Sequence, residues 1–186
     1  MTTSILLPAL LVAALVAWAV MLFNRLVRLR NQVRTAWADI DVQLTRRHDL
    51  IPSLVAAVKG YATHEGAVLE AVTALRAQAT AERSPGRLGE VEGRLEHALG
   101  RLVALQEAYP DLKANENFAQ LQRDLVEVED HLQYARRFYN GAVRDYNDAV
   151  QRVPDLLVAR GFGFEAAEFF QADDDKRAAV KVKLPR

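Results

Sequence analysis

The chain changes character at Arg25. From Ile5 to Phe23, ILLPALLVAALVAWAVMLF, every residue except Pro8 is apolar, and residues 1–24 hold no Asp, Glu, Lys or Arg. At about 1.5 Å of rise per residue a run of this length crosses a hydrocarbon core of roughly 30 Å, so residues 1–24 are expected to form a transmembrane helix. Pro8 falls in its first turn, where a missing amide is tolerated, and Trp18 and Phe23 lie toward the end at which the arginines begin. The rival reading is a cleaved signal peptide, through the small-x-small step Ala17-Trp18-Ala19. Against it, no basic region precedes the run, the run continues past that step, and the positive charges follow.

After the anchor, apolar residues recur at three and four, the spacing of helices that bury one face. The longest stripe is Phe118, Leu121, Leu125, Val128, Leu132, Ala135, Tyr139, Ala142, Tyr146, Ala149 and Val153. Its heptad rhythm predicts one long helix with coiled-coil-like packing, stopped by Pro154. A shorter stripe, Leu88 to Tyr109, lies between the breaker Ser84-Pro85-Gly86 and Pro110. Ile51, Leu54, Val58, Tyr61 or Ala62, Leu69, Val72 and Leu75 make a third, and Val33, Trp37, Ile40 and Leu44 a fourth. The expected fold is all-α, an antiparallel four-helix bundle of long helices over residues 25–170 behind the N-terminal transmembrane helix. The joint at Asp49–Pro52 has two readings: an Asp49 N-cap opening a new helix, or a proline kink in a continuous one. Beyond Pro154, the glycine-broken, aromatic DLLVARGFGFEAAEFF is expected to lie against the end of the bundle. Residues 171–186 read as a loosely ordered charged tail.

Charge refines this picture. Lys plus Arg equals Asp plus Glu, 24 each, so nothing in the whole-chain balance points to nucleic acid. The absence of cysteine removes disulfides, thiolate zinc sites, cysteine nucleophiles and any lipid-attachment cysteine near the N-terminus. Arg25, Arg28, Arg30 and Arg34 crowd the C-terminal flank of the apolar run, which places the body in the cytoplasm of a single-pass protein of the cell membrane. Ala9, Ala13 and Ala17 form a small-residue ridge along the anchor, the pattern that allows close helix approach in lipid and hence self-association.

The densest cluster of polar chemistry is AWADIDVQLTRRHDLIP, Ala36–Pro52. Asp39 and Asp41, two apart on a helix, project about 200° from each other and cannot share a proton or an ion. With Val33, Trp37, Ile40 and Leu44 on the buried stripe, both aspartates, Arg46 and Arg47 read as flanking charges, Asp49 as a cap, and His48 as a surface or capping group. His64, His97 and His131 are isolated. In His64-Glu65-Gly66-Ala67-Val68 a valine stands where a metalloprotease needs its second histidine. Arg94 and Val128 occupy the positions three before His97 and His131 that a bundle metal site would fill with glutamate. Asp173–Asp175 lacks the alternation of a calcium loop. No catalytic, cofactor-binding or metal-binding residue is therefore assigned, no cofactor or small-molecule substrate is expected, and an enzyme would need a site built from distant residues such as His48, His97 and His131. The pairs Tyr139-Asn140 and Tyr146-Asn147 share one face and read as core, with their polar atoms fixing helix register.

LRNQVRTAWADIDVQLTRRHDLIPSLVAAVKGYATHE, EAYPDLKANENFAQLQ and ARRFYNGAVRDYN resemble, in order, the signature blocks of the LemA family, over about Leu29 to Phe170. The resemblance implies a bacterial, membrane-anchored helical bundle and carries no catalytic residues with it. Related genes often lie near those of membrane-bound zinc peptidases and TPM-domain proteins, which implies an accessory role at the membrane. Some relatives are lipoproteins facing the periplasm, a topology that requires a cysteine this chain lacks. The expected function is a non-catalytic scaffold or adaptor for membrane or envelope protein complexes. The alternatives are a membrane-shaping protein, or a regulatory partner of a membrane-bound zinc peptidase.

Overall fold

A computed structural model describes residues 2–62 and 64–170, with side-chain surroundings from Pro8 onward; the expected charged tail lies outside the described residues. All regular structure among them is helical. The elements are α1 (Thr2–Lys59), α2 (Gly66–Ala81), α3 (Pro85–Ala104), a 3-10 turn (Leu105–Glu107), α4 (Pro110–Lys113), α5 (Glu116–Gln151) and α6 (Asp155–Phe162).

α1 resolves the joint at Asp49–Pro52, because it runs through it without a break. A proline inside a helix withholds the amide that would bond the carbonyl four residues back. Here that is the carbonyl of His48, and Arg76 Nε from α2 donates to it at 2.8 Å. The vacated acceptor is satisfied from outside the helix, and α1 continues to Lys59. Asp49 is consequently an exposed residue in the helix interior and not the cap that its spacing from Pro52 implied. The predicted third stripe, in turn, is divided: Ile51, Leu54 and Val58 belong to α1, and Leu69 and Val72 to α2.

The described chain falls into two units, one of residues up to 41 with 134–167, the other of residues 42–133 with the stretch from Glu168. In the first, α1 and α5 run antiparallel: Trp37 meets Tyr139, with ring centroids 5.2 Å apart, and Arg25, earlier on α1, meets Asp155 just beyond the end of α5 at 2.8 Å. Leu22, Leu26, Val33, Ala36 and Ile40 are buried on α1, and Ala142, Val143, Tyr146, Ala149 and Val150 on α5. The glycine-broken segment forms α6, ended by Gly163 at φ 68°, a left-handed conformation that favours glycine. Phe164 then turns inward, 5.6 Å from the Phe23 ring and under the Arg30 guanidinium at 4.9 Å. Tyr139 and Tyr146 are buried as the stripe predicts. Asn147 has a different role from the expected one: its side-chain amide donates to the Ala167 carbonyl at 2.9 Å and accepts from the Ala167 amide at 2.8 Å. It clasps the returning chain and does not set helix register.

In the second unit, Ile51, Leu54, Val58, Ala62, Leu69, Val72, Leu95, Ala98, Leu99, Leu102, Leu112 and Phe118 make one apolar core. Pro85 opens α3 in its first turn, where no amide partner is needed. At the start of α5 the Asn115 side chain accepts from the Phe118 amide at 2.9 Å, satisfying one of the orphan donors of that terminus.

Two glycines of α6 should respond oppositely to alanine. Neither Cβ would meet an atom within 4 Å, so backbone preference decides. Gly161→Ala, inside the helix, should stabilise by roughly 0.5–1 kcal/mol, and Gly163→Ala should destabilise by about 1–2 kcal/mol. Thermal unfolding of the detergent-solubilised chain, followed by circular dichroism, checks both signs.

Candidate functional site

The buried stripe of α1 in the second unit steps from Leu44 to Ile51, a gap of seven that must pass through the buried face once more. The residue that fills it is Arg47. Its side chain is 0% exposed, as is that of Glu92 on α3, which sits between Leu88 and Leu95 in the same kind of stripe. Each helix thus carries one charge in an otherwise apolar row, and the two charges meet.

Arg47 Nη2 donates to Glu92 Oε2 and, at 3.4 Å, to the Glu92 carbonyl. Arg47 Nη1 donates to Glu129 Oε2 of α5 at 2.7 Å. The other carboxylate oxygen of Glu92 lies 2.8 Å from His48 Nε2. Burial opposes the charge of Arg47, yet the two facing carboxylates outweigh it and raise its pKa further above the ordinary value. Glu92 is likewise opposed by burial, and the hydrogen bond from His48 together with the Arg47 charge holds its pKa below the usual carboxylate range. Both groups are therefore ionised at neutral pH. A charge taken out of water is tolerated only when paired and hydrogen-bonded, and here the pairing ties α1, α3 and α5 to one another.

Arg47 is the main departure from the sequence reading, which set it beside the buried stripe as a flanking charge. Arg46, Asp39 and Asp41 are exposed as expected. His48, read as a surface or capping group, is mostly buried and bonded to Glu92. His64 and His97 are exposed, and His131 is exposed and 3.8 Å from Glu127. Among the described residues no group of three or more His, Asp or Glu side chains could hold a metal, so His48, His97 and His131 do not assemble. Glu92, Glu129 and His48 converge, but the Arg47 guanidinium fills the position a cation would take. The network has the donors of a site and the accessibility of a core, so what it can do is position helices. A surface groove lies between α3 and α5, lined by Val103, Gln122, Leu125 and Val126 with Glu127 and Asp130 at its edge.

The second feature is the apolar end of α1. Leu10, Leu11, Val12, Leu15, Val16, Val20 and Met21 are all more than half exposed, so the helix is apolar around its whole circumference and is long and apolar enough to cross a membrane.

The family model for the LemA family matches residues 36–184, a stretch that contains Arg47, Glu92 and Glu129. The chain belongs to the LemA family. Among its relatives it is 25% identical to magnetosome protein MamQ 2 of Paramagnetospirillum magneticum, over 86% of this chain and 68% of that protein. It is 23% identical to magnetosome protein MamQ of Magnetospirillum gryphiswaldense, over 84% and 67%. It is 25% identical to Protein LemA of Metamycoplasma hominis, over 84% and 72%. The LemA match begins one residue before Trp37 and so leaves the apolar run outside it.

Arg47→Ala leaves the Glu92 carboxylate buried without its partner and should cost about 3–5 kcal/mol. Arg47→Met combined with Glu92→Leu removes both charges and should recover most of that loss, since Glu129 retains contact with water. Chemical denaturation of the two variants measures the difference.

Acid should act through the same pair. The folded pKa of Glu92 is depressed, so its stabilisation is complete above the unfolded carboxylate value, near 4.3, and is lost as pH falls through the folded value. The native chain should lose stability below about pH 4 more steeply than the double variant, as denaturation midpoints across that range will report.

Proposed function

We propose that the chain is a single-pass, membrane-anchored, non-catalytic scaffold that holds other membrane-associated proteins. In this reading residues 1–24 are the anchor, residues 25–170 an antiparallel four-helix bundle on the cytoplasmic side, and residues 171–186 a charged tail. The observation that carries it is α1, whose exposed apolar surface from Leu10 to Met21 gives way, within the same helix, to a one-sided buried stripe from Leu22 onward. One face pattern suits lipid and the other a water-facing bundle. The orientation rests on the arginines after Phe23.

The ionised groups best placed for chemistry are consumed by internal pairing, which supports a binding role over a catalytic one. The names of the relatives, magnetosome protein and Protein LemA, denote no reaction. Tyr134 and Phe138, one turn apart on α5, are 68% and 51% exposed; exposed aromatic pairs of this kind are common anchors of protein interfaces.

Cross-linking in native membranes should recover discrete protein partners, and Tyr134→Ser with Phe138→Ser should lose them while the chain stays in the membrane fraction. Recovery of no partner from the native chain would count against the scaffold. Protease added outside intact cells should leave the bundle uncut; its removal would reverse the orientation.

A further inference from the structure

α6 and its approach carry apolar side chains that their own unit leaves uncovered. Val153, Leu157 and Phe162 are each 67% exposed, and Arg152 and Arg160 beside them are exposed as well. In the same short helix Asp155 and Ala159 are each 1% exposed, so α6 is firmly seated on one side and open on the other.

Both of its ends touch α1. At the first turn Asp155 Oδ2 accepts from Arg25 Nη1 at 2.8 Å. At the last, the Phe162 ring stands edge-on to Phe23 with centroids 5.0 Å apart. Phe23 and Arg25 are about 3 Å apart along α1, whereas Asp155 and Phe162 are about 10 Å apart along α6. Both ends of α6 thus meet α1 through side chains at nearly the same height. That height is where the apolar run stops and the first charge begins, the boundary between acyl chains and headgroups for a helix that crosses a bilayer.

We propose that α6 is an interfacial helix that docks on the bilayer surface, with lipid covering Val153 and Leu157 and headgroup phosphates meeting Arg152 and Arg160. The inference rests on the membrane-anchor reading of α1. Lipid is favoured as the occupant because the exposed apolar surface of α1, ending with Met21 at 62% exposure, is continuous in height with α6. Apolar side chains flanked by arginines are also the composition of helices that lie in the interface plane.

The chain contains no cysteine, so a single introduced thiol reports one position. Leu157→Cys, Leu15→Cys and Tyr134→Cys change exposed side chains and should leave the helical content unaltered. Each full-length variant is labelled with an environment-sensitive fluorophore and reconstituted into vesicles containing phosphatidylglycerol and lipids with nitroxide at a shallow or a deep acyl position. Position 157 should lose fluorescence mainly to the shallow quencher, position 15 mainly to the deep one, and position 134 to neither. Loss at 15 without loss at 157 would overturn the α6 proposal and leave the anchor standing. Loss at neither would overturn the anchor reading, and the proposal with it. Equal loss at 134 and 157 would also overturn it, by showing that the bundle lies on the bilayer without a dedicated docking helix.

Discussion

A guanidinium carried into a core of leucines must be neutralised where it stands, and the packing around Arg47 follows from that requirement. Water cannot reach it, so α3 has to present Glu92 at the facing position and α5 has to bring Glu129 within 2.7 Å. Apolar stripes alone tolerate a slip of one heptad, because leucine meets leucine in either register. A charge pair does not, since a slip would set each ion against hydrocarbon at a cost of several kcal/mol. The network thus selects one alignment of three helices where the hydrophobic pattern permits several.

α1 has a related problem, namely that it carries Pro52 in its interior. The carbonyl that Pro52 leaves without a donor belongs to His48, the residue whose ring touches Glu92. Arg76 takes that carbonyl, so α2 is attached to α1 by the defect itself. Four helices of the second unit are thereby joined through polar contacts within one turn of Arg47, and the apolar core packs beside them.

The helical class and most of the buried stripes were legible because apolar spacing at three and four is a dense signal repeated over many turns. The stripes Leu88–Leu102 and Phe118–Ala149 lie with their predicted faces inward, whereas Val153, the last predicted position of the second, is 67% exposed because α5 ends at Gln151. Arg47 was misplaced because its residue type suggested solvent, while its position, three after Leu44 and four before Ile51, demanded the core; the spacing was the better guide. The continuity of α1 was undecidable from local sequence, since the donor that permits it lies 28 residues away on α2. α6 was hidden by Gly161 and Gly163, which weaken helix propensity, and its seat on α1 depends on pairings that leave no periodic trace. The clasp at Asn147 likewise depends on a backbone 20 residues on, which no pattern within α5 reveals.

The separation of the Arg25–Asp155 pair, 130 residues, has a bearing on synthesis. The Arg47–Glu92 pair is 45 residues apart, so the Arg47 network of the second unit can close once Glu129 of α5 has been made. The first unit waits for α6, near the end of translation. A ribosome adding roughly 5–20 residues per second leaves an interval of several seconds in which Phe23 and Arg25 have emerged without the side chains that later cover them. On the proposed anchor reading, the apolar start of α1 is free during that interval to engage the insertion machinery, before α6 closes against it.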